Sequence, residues 1–264
     1  MNVLVTINKN YLDKFFTMMN SLQDNNLGDI DVYIVSNDIT NKDLKVFKKR
    51  KNVKFYLIEY QDEILDSAPT SKRYPSVIYY RLVAAKYLPD SLDRILYLDP
   101  DIIILKDLKD LYNMDFEDKY YIGASNVKEL LRKINESKNN APKNSPYLNT
   151  GVLLINLKEL RKLNQSEEIY NYILKRKLLL TLPDQDILQG LYGDKVKEID
   201  NLKYNLSDRT ITFYNLSHGL SKIDLKWVDD NCYIIHYFGR NKPWKNNYKG
   251  ILQDYYLKYE FKRK

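Results

Sequence analysis

Two carboxylates two residues apart, in Asp99-Pro100-Asp101, follow directly on the apolar run Leu96-Tyr97-Leu98. In extended chain, residues i and i+2 share a side. Pro100 fixes φ and withholds a backbone donor, which favours a bend as the chain leaves the strand. Two like charges held that close repel unless a cation lies between them or one is protonated. Oxygen coordination of a hard divalent ion, Mg²⁺ or Mn²⁺, resolves the conflict. A solvated turn is the plain alternative for so short a motif. The chain has only two histidines. His236 ends an apolar run and precedes Gly239, Lys242, Pro243 and Trp244. As a third ligand, its imidazole would suit Mn²⁺ better than Mg²⁺. His218 has no charged cluster beside it and reads as structural.

These groups need strand ends to hold them. Val3 to Ile7 reads as a buried parallel strand, and Val32 to Val35, Val53 to Ile58 and Arg94 to Leu98 read as further strands. Between the first two, Leu12, Phe15, Phe16, Met19 and Leu22 recur at helical spacing. Asn41 to Lys51 reads as a solvated basic helix, and Pro75 opens another with Ile78, Leu82 and Ala85 on its apolar face. Further strands are expected at Ile102–Ile104, Tyr120–Ala124, Gly151–Asn156 and Tyr233–Tyr237, and helices at about 158–178 and 184–192. Residues 126–146, polar and with two prolines, read as a mobile loop or short helix. The alternation argues an α/β fold, a Rossmann-like, mostly parallel sheet with helices on both faces. In such sheets ligands bind beyond the carboxyl ends of the strands.

Composition narrows the classes. In 264 residues, 44% are hydrophobic and 29% charged, which excludes a disordered, collagen-like or coiled-coil chain. One cysteine, Cys232, excludes an internal disulfide and a Cys-rich zinc module. The net charge of +7 suits an anionic ligand, an anionic membrane surface or nucleic acid equally. No apolar run reaches a membrane span, and the strand-like start at Asn2 leaves no signal-peptide pattern, so a cytoplasmic protein is expected. No Gly-rich phosphate loop occurs, so a phosphate ligand needs a metal or basic side chains.

Four blocks in order carry a resemblance. Tyr97 to Asp101, Asn149 to Asn156, Asp184-Gln185-Asp186, and His236-Tyr237-Phe238-Gly239 with Lys242-Pro243-Trp244 resemble glycosyltransferase family 8. That family holds glycogenin and the bacterial lipopolysaccharide galactosyl- and glucosyltransferases. The likeness runs from Met1 to Trp244. It implies a GT-A type fold, a catalytic domain over residues 1–250 and a basic, aromatic C-terminal tail over 251–264. It also implies retaining transfer of glucose or galactose from UDP-glucose or UDP-galactose to a glycan or glycoconjugate acceptor, with Mn²⁺, or Mg²⁺ in its place. By that resemblance Asp99, Asp101 and His236 are metal ligands, and Lys242 and the Gly239 backbone hold the diphosphate. Pro100 falls among the nucleotide-sugar contacts. Thr6, Asn8 and Asn10 match nucleoside-binding positions, and Arg73 and Arg81 match basic residues near the diphosphate and donor sugar. Asn149, Asp184 and Gln185 match residues lining the sugar, with Gln185 facing the anomeric carbon. Two departures stand out. Asn8 occupies a position where an acidic residue is common, and Ser125-Asn126-Val127 lacks an Asp that relatives often carry.

The residue chemistry is compatible with this. Breaking a sugar–phosphate bond leaves negative charge on the nucleotide, which a divalent ion and Lys242 would stabilise. Gln185 is a poor nucleophile, which favours same-face substitution over the carboxylate double displacement of retaining glycosidases. Asp184 can alternatively serve as a helix cap. The competing classes are a nucleotidyltransferase, which also uses paired carboxylates, and a nucleic-acid-binding protein using basic and aromatic surface. No standard nucleic-acid motif is present, so no nucleic-acid partner is expected. Tyr255, Tyr256, Tyr259 and Phe261 among Lys258, Lys262, Arg263 and Lys264 fit either a peripheral anchor at the inner membrane face or a packed amphipathic helix.

Overall fold

The computed structural model describes residues 1–68, 76–219 and 221–263. Its strands are β1 (Asn2–Thr6), β2 (Ile30–Val35), β3 (Val53–Ile58), β4 (Arg94–Leu98), β5 (Ile102–Ile104), β6 (Tyr121–Ser125), β7 (Leu148–Asn156), β8 (Val196–Ile199) and β9 (Ile234–His236). Seven of them form one sheet in the order β3-β2-β1-β4-β7-β6-β8, and β5 pairs with β9. β1 runs parallel to β2 and β4, β2 to β3, and β6 to β8. Only β7 is reversed, lying antiparallel to β4 and β6. This is the mostly parallel α/β sheet expected from the alternating pattern.

Strand periodicity divides the core. Val3 and Val5 of β1, Leu96 and Leu98 of β4, and Val152 and Leu154 of β7 pack on one face with Phe15, Phe16, Met19 and Leu22 of the Leu12–Asn25 helix. Leu4, Ile95, Tyr97, Leu153 and Ile155 point to the other face, against Ile169 and Ile173 of the Gln165–Arg176 helix and Ile187 and Leu188 of the Pro183–Tyr192 helix. Each of these fully buried side chains contributes about 1.5–3 kcal/mol.

Local expectations failed where tertiary packing overrode pattern. The basic helix shortens to Asn41–Leu44 behind a Thr40/Asp43 capping box. Phe47 then turns inward to stack on Phe16, which a solvated helix could not allow. Pro75 lies outside the described residues. The chain after it makes two 3-10 turns, Ser76–Tyr79 and Ala84–Lys86, because Tyr79 to Ala85 are buried on all sides rather than on one stripe. Residues 126–146, by contrast, carry the helix of their two expected alternatives, Glu129–Asn139, closed by Asn140 in the left-handed region at φ 51°. The helix expected near 158–178 is broken into Leu157–Leu160 and Gln165–Arg176. Between β8 and β9 lie Asn201–Tyr204, Asp208–Ser217 and Leu225–Asn231, capped by the side chains of Asp200, Ser207 and Asp224.

The C-terminal aromatic residues face inward. Tyr256 and Tyr259 of the Gln253–Tyr259 helix are buried beside Ile235, Tyr237 and Leu252, and Phe261 meets Phe16 edge-on. Lys258, Lys262 and Arg263 remain at the surface. Among the described residues no helix is long and apolar enough to cross a membrane.

Candidate active site

The crevice opens where sheet order reverses. β1 leads outward to β2 and β3 on one side and contacts β4 on the other, which makes the carboxyl ends of β1 and β4 a switch point. Thr6 at the end of β1 shares a hydrogen bond of 2.9 Å with the Tyr97 hydroxyl. That hydroxyl donates to Asp99 Oδ1 at 2.8 Å. The Asp99 amide is bonded to the Gly151 carbonyl at 2.8 Å, so the first carboxylate is fixed from both backbone and side chain.

β5 and β9 bring the histidine to the carboxylates. Ile102 is opposite His236 in their antiparallel register, one residue beyond Asp101, and the Tyr237 amide donates to the Asp101 carbonyl. His236 Nε2 lies 3.3 Å from Asp101 Oδ1 and 3.8 Å from Asp99 Oδ2. The ring is 1% exposed, and Nε2 makes no hydrogen bond. Its other nitrogen, Nδ1, is 2.9 Å from Asn205 Oδ1. Asn205 in turn donates to Asn149 Oδ1 at 3.2 Å, which also accepts the Gly151 amide. With Nδ1–H donating to Asn205, the Nε2 lone pair is left facing the carboxylates, the tautomer a metal ligand needs.

This is the observation against which a cation can be tested. One ligand atom from each of Asp99, Asp101 and His236 lies within 4.8 Å of the others. A buried nitrogen without a partner costs free energy unless something occupies its lone pair. One imidazole and two carboxylates fit Mn²⁺ better than Mg²⁺. Gly151 closes the cradle. A Cβ there would sit 2.2 Å from His236 Cε1 and 2.7 Å from Asp99 Oδ2. The residues fit a divalent ion.

Cations surround the triad. Arg81, buried, reaches Asp99 at 3.1 Å and Asp184 at 3.5 Å, donates to the Thr150 carbonyl, and lies over the Tyr97 ring at 4.4 Å. Burial alone would lower its pKa, but Asp99 and Asp184 raise it well above the ordinary arginine value. Lys242 bonds both Asp101 and the Tyr237 carbonyl. Burial pushes the Asp101 carboxyl up, but the Lys242 ammonium beside it helps to hold it well below the usual range.

Two adjoining cavities share Ile78, Arg81, Asp99 and Asp101. One, of about 450 Å³, is lined by Thr6, Asn8, Tyr11, Asp38, Tyr80 and Pro100 among others. The second, of about 850 Å³, takes in Asn149, Gly151, Asp184, Gln185, His236 and Gly239. The structure thus gathers Thr6, Asn8, Arg81, Asp99, Pro100, Asp101, Asn149, Asp184, Gln185, His236 and Gly239 around one connected space. Lys242 reaches it through Asp101. Asn10 does not line it; its amide instead donates to Asn8 Oδ1, which holds the first turn after β1. Arg73 falls outside the described residues.

Further buried side chains support these residues. Asn205 orients His236, and its segment carried no motif. Asp186 is fully buried at the start of the Pro183–Tyr192 helix, accepting from Lys138, Asn139, Tyr147 and the amides of Thr181 and Leu182. It pins the turn that carries Asp184 and Gln185. Asp184 accepts the Thr150 hydroxyl at 2.6 Å. Asp38, at the end of β2, takes the Lys9 amide and the Ser36 hydroxyl at the rim of the smaller cavity.

Comparison with known proteins gives three results. The family model described as Glycosyl transferase family 8 matches residues 2–248. A lipopolysaccharide 1,2-glucosyltransferase of Escherichia coli is 32% identical over 206 residues, covering 77% of this chain and 59% of the relative. A lipopolysaccharide 1,3-galactosyltransferase of Salmonella typhimurium is 28% identical over 206 residues, covering 76% and 58%. The chain therefore spans about three fifths of the length of these curated relatives. In structure it matches galactosyltransferase LgtC, solved in complex with donor and acceptor sugar analogs, with a TM-score of 0.82 at 21% identity over 98% of this chain and 95% of that one. That likeness establishes the GT-A type fold.

Proposed function

The chain belongs to glycosyltransferase family 8, and from that premise we propose that it transfers a hexose, glucose or galactose, from a UDP-sugar to a glycan or glycoconjugate acceptor with retention of configuration. The observation that carries the reading is the buried, unpartnered His236 Nε2 aimed at Asp99 and Asp101 where the two cavities meet. The smaller cavity, with Thr6, Asn8 and Asp38, is sized for a nucleoside. The larger one, past the triad, leaves room for the donor sugar and an acceptor.

Asp99, Asp101 and His236 would hold a divalent ion, Mn²⁺ by the donor set, and that ion would offset the charge building on the diphosphate as the sugar leaves. Lys242 stands on Asp101 and would add its ammonium to the same charge. Arg81 keeps Asp99 and Asp184 in place by bridging them. Asp184, fixed by Thr150 and Arg81, and Asn149, fixed by Gly151 and Asn205, would bind sugar hydroxyls. Gln185 has an amide and no basic carboxylate, so the anomeric carbon would be met by a dipole that stabilises positive charge. Retention then follows from attack on the face the diphosphate leaves, with the acceptor proton passing to a departing phosphate oxygen.

The test is UDP-sugar hydrolysis, the acceptor-independent half of the reaction. Asp99→Ala, Asp101→Ala and His236→Ala should each abolish it while the melting profile stays cooperative, and EDTA should do the same until Mn²⁺ is restored. Full activity in either Asp variant, or in EDTA, overturns the reading.

A further inference from the structure

The larger cavity carries a group of charges that donor binding does not use. Lys128, the residue before the Glu129–Asn139 helix, Arg209 on the Asp208–Ser217 helix and Arg240 beyond β9 all line it and are exposed. Lys128 Nζ and Arg209 Cζ lie 4.9 and 5.4 Å from the centre of one ring, that of Phe213, itself 41% exposed. Their neighbours are neutralised: Arg132 pairs with Glu198 and Lys133 with Glu129. Among the described residues none of Lys128, Arg209 and Arg240 has a carboxylate in ion-pair contact. Asp208, beside Arg209, is taken by the Tyr248 hydroxyl and the Ile251 amide.

Like charges gathered at one mouth without counter-charge repel one another, and an anion there relieves the repulsion. The diphosphate is provided for elsewhere, by the triad and Lys242. Lys128, Arg209 and Phe213 line the larger cavity and not the smaller one. An aromatic face takes the apolar side of a pyranose ring, and guanidinium and ammonium groups beside it take an oxyanion. Resting on the glycosyltransferase reading above, we infer that the acceptor is an anionic glycan, carrying a phosphate or carboxylate that Lys128 and Arg209 recognise while its sugar ring lies on Phe213.

The test uses the full chain saturated with UDP and Mn²⁺ and follows binding of methyl galactoside, its 6-phosphate and the corresponding uronic acid by saturation-transfer NMR and calorimetry. One or both charged sugars should bind about tenfold more tightly than the neutral one. Which of the two does so identifies the charge as phosphate or carboxylate. Arg209→Gln and Lys128→Gln should each erase most of that preference, whereas Phe213→Ala should weaken all three sugars. Equal binding of neutral and charged sugars overturns the inference. So does binding of the charged sugars to the UDP-free chain that added UDP displaces, which would assign the cations to the donor. Failure of UDP itself to bind with Mn²⁺ would instead overturn the donor reading on which the inference rests.

Discussion

Gly151→Ala isolates the metal cradle in one methyl group. The added Cβ would lie 2.2 Å from His236 Cε1, 2.7 Å from Asp99 Oδ2 and 2.9 Å from His236 Nε2. Ordinary contact begins at 3.4 Å, so the ring or the carboxylate must retreat by about 1 Å. His236 has little freedom to do so. Its amide is bonded to Leu206, its Nδ1 is held by Asn205, and it is sealed from solvent. Overpacking of this kind costs about 1–3 kcal/mol of stability, and a displacement near 1 Å at a reacting site costs about 10² in rate. The expected outcome is a folded protein melting several degrees lower, with Mn²⁺ affinity in the presence of UDP and UDP-sugar hydrolysis both reduced about a hundredfold. Gly123→Ala is the comparison. There the Cβ meets Leu153 Cδ2 at 2.9 Å, inside the sheet and away from the triad. It should lower the melting temperature and spare metal affinity. Calorimetric Mn²⁺ titration of the two variants decides the matter: parental affinity in Gly151→Ala, or losses no larger than those in Gly123→Ala, would refute the cradle.

Three further outcomes are expected. Lys242→Ala should weaken UDP far more than uridine, by about 1.5–3 kcal/mol, and should also alter Mn²⁺ binding because the ammonium rests on Asp101; equal losses for UDP and uridine by calorimetry would remove its diphosphate role. Gln185→Ala should slow transfer about 10²–10³-fold with donor affinity little changed, and NMR should show the product still in the α configuration; a β product, or a sugar trapped on Asp184, Asp186 or Gln185 by mass spectrometry, would replace same-face substitution. Burial raises the pKa of Asp62, but hydrogen bonds from Ser166, the Leu65 amide, Tyr60 and Lys86 outweigh it and bring the carboxyl down to about 2. A depressed carboxylate stabilises the fold above its unfolded pKa near 4 and loses that contribution as pH falls through 2. Acid denaturation of Asp62→Asn should therefore lack the part of the parental stability loss between about pH 4 and pH 2, and an unchanged profile would contradict that assignment.

Legibility in the sequence followed where the information resides. β1, β2 and β4 were readable because a buried parallel strand is a short, largely apolar run. Asp99, Asp101 and His236 were readable because charge at the end of such a run has few structural uses. Their mutual approach was legible only through the four-block resemblance, since the β5–β9 register that sets His236 beside Asp101 is a long-range pairing. Asn205 escaped notice for the same reason: its value lies in partners 31 and 56 residues away. The three helices between β8 and β9 did announce themselves locally, through Asp200, Ser207 and Asp224 at their starts, and were overlooked because their apolar stripes are weak. The Lys128–Arg209–Phe213 group was invisible, because two remote segments must fold together before its charges become neighbours.

The reversed strand has an architectural consequence. β6 runs with the parallel set and ends at Ser125, while β7 runs against it and begins at Leu148, so these two residues pair across the ladder at the same rim. The chain between them leaves the sheet and returns to it at the mouth of the larger cavity, carrying Lys128 and Leu131 on the way. Insertions ahead of the Glu129–Asn139 helix can lengthen it without shifting the register of any strand, whereas Lys138, Asn139 and Tyr147, which hold Asp186, fix its return. A fold wired in this manner separates two heritable traits. On the proposed reading, the nucleotide end is written into strands whose positions the core enforces, and part of the acceptor end into the front of this excursion.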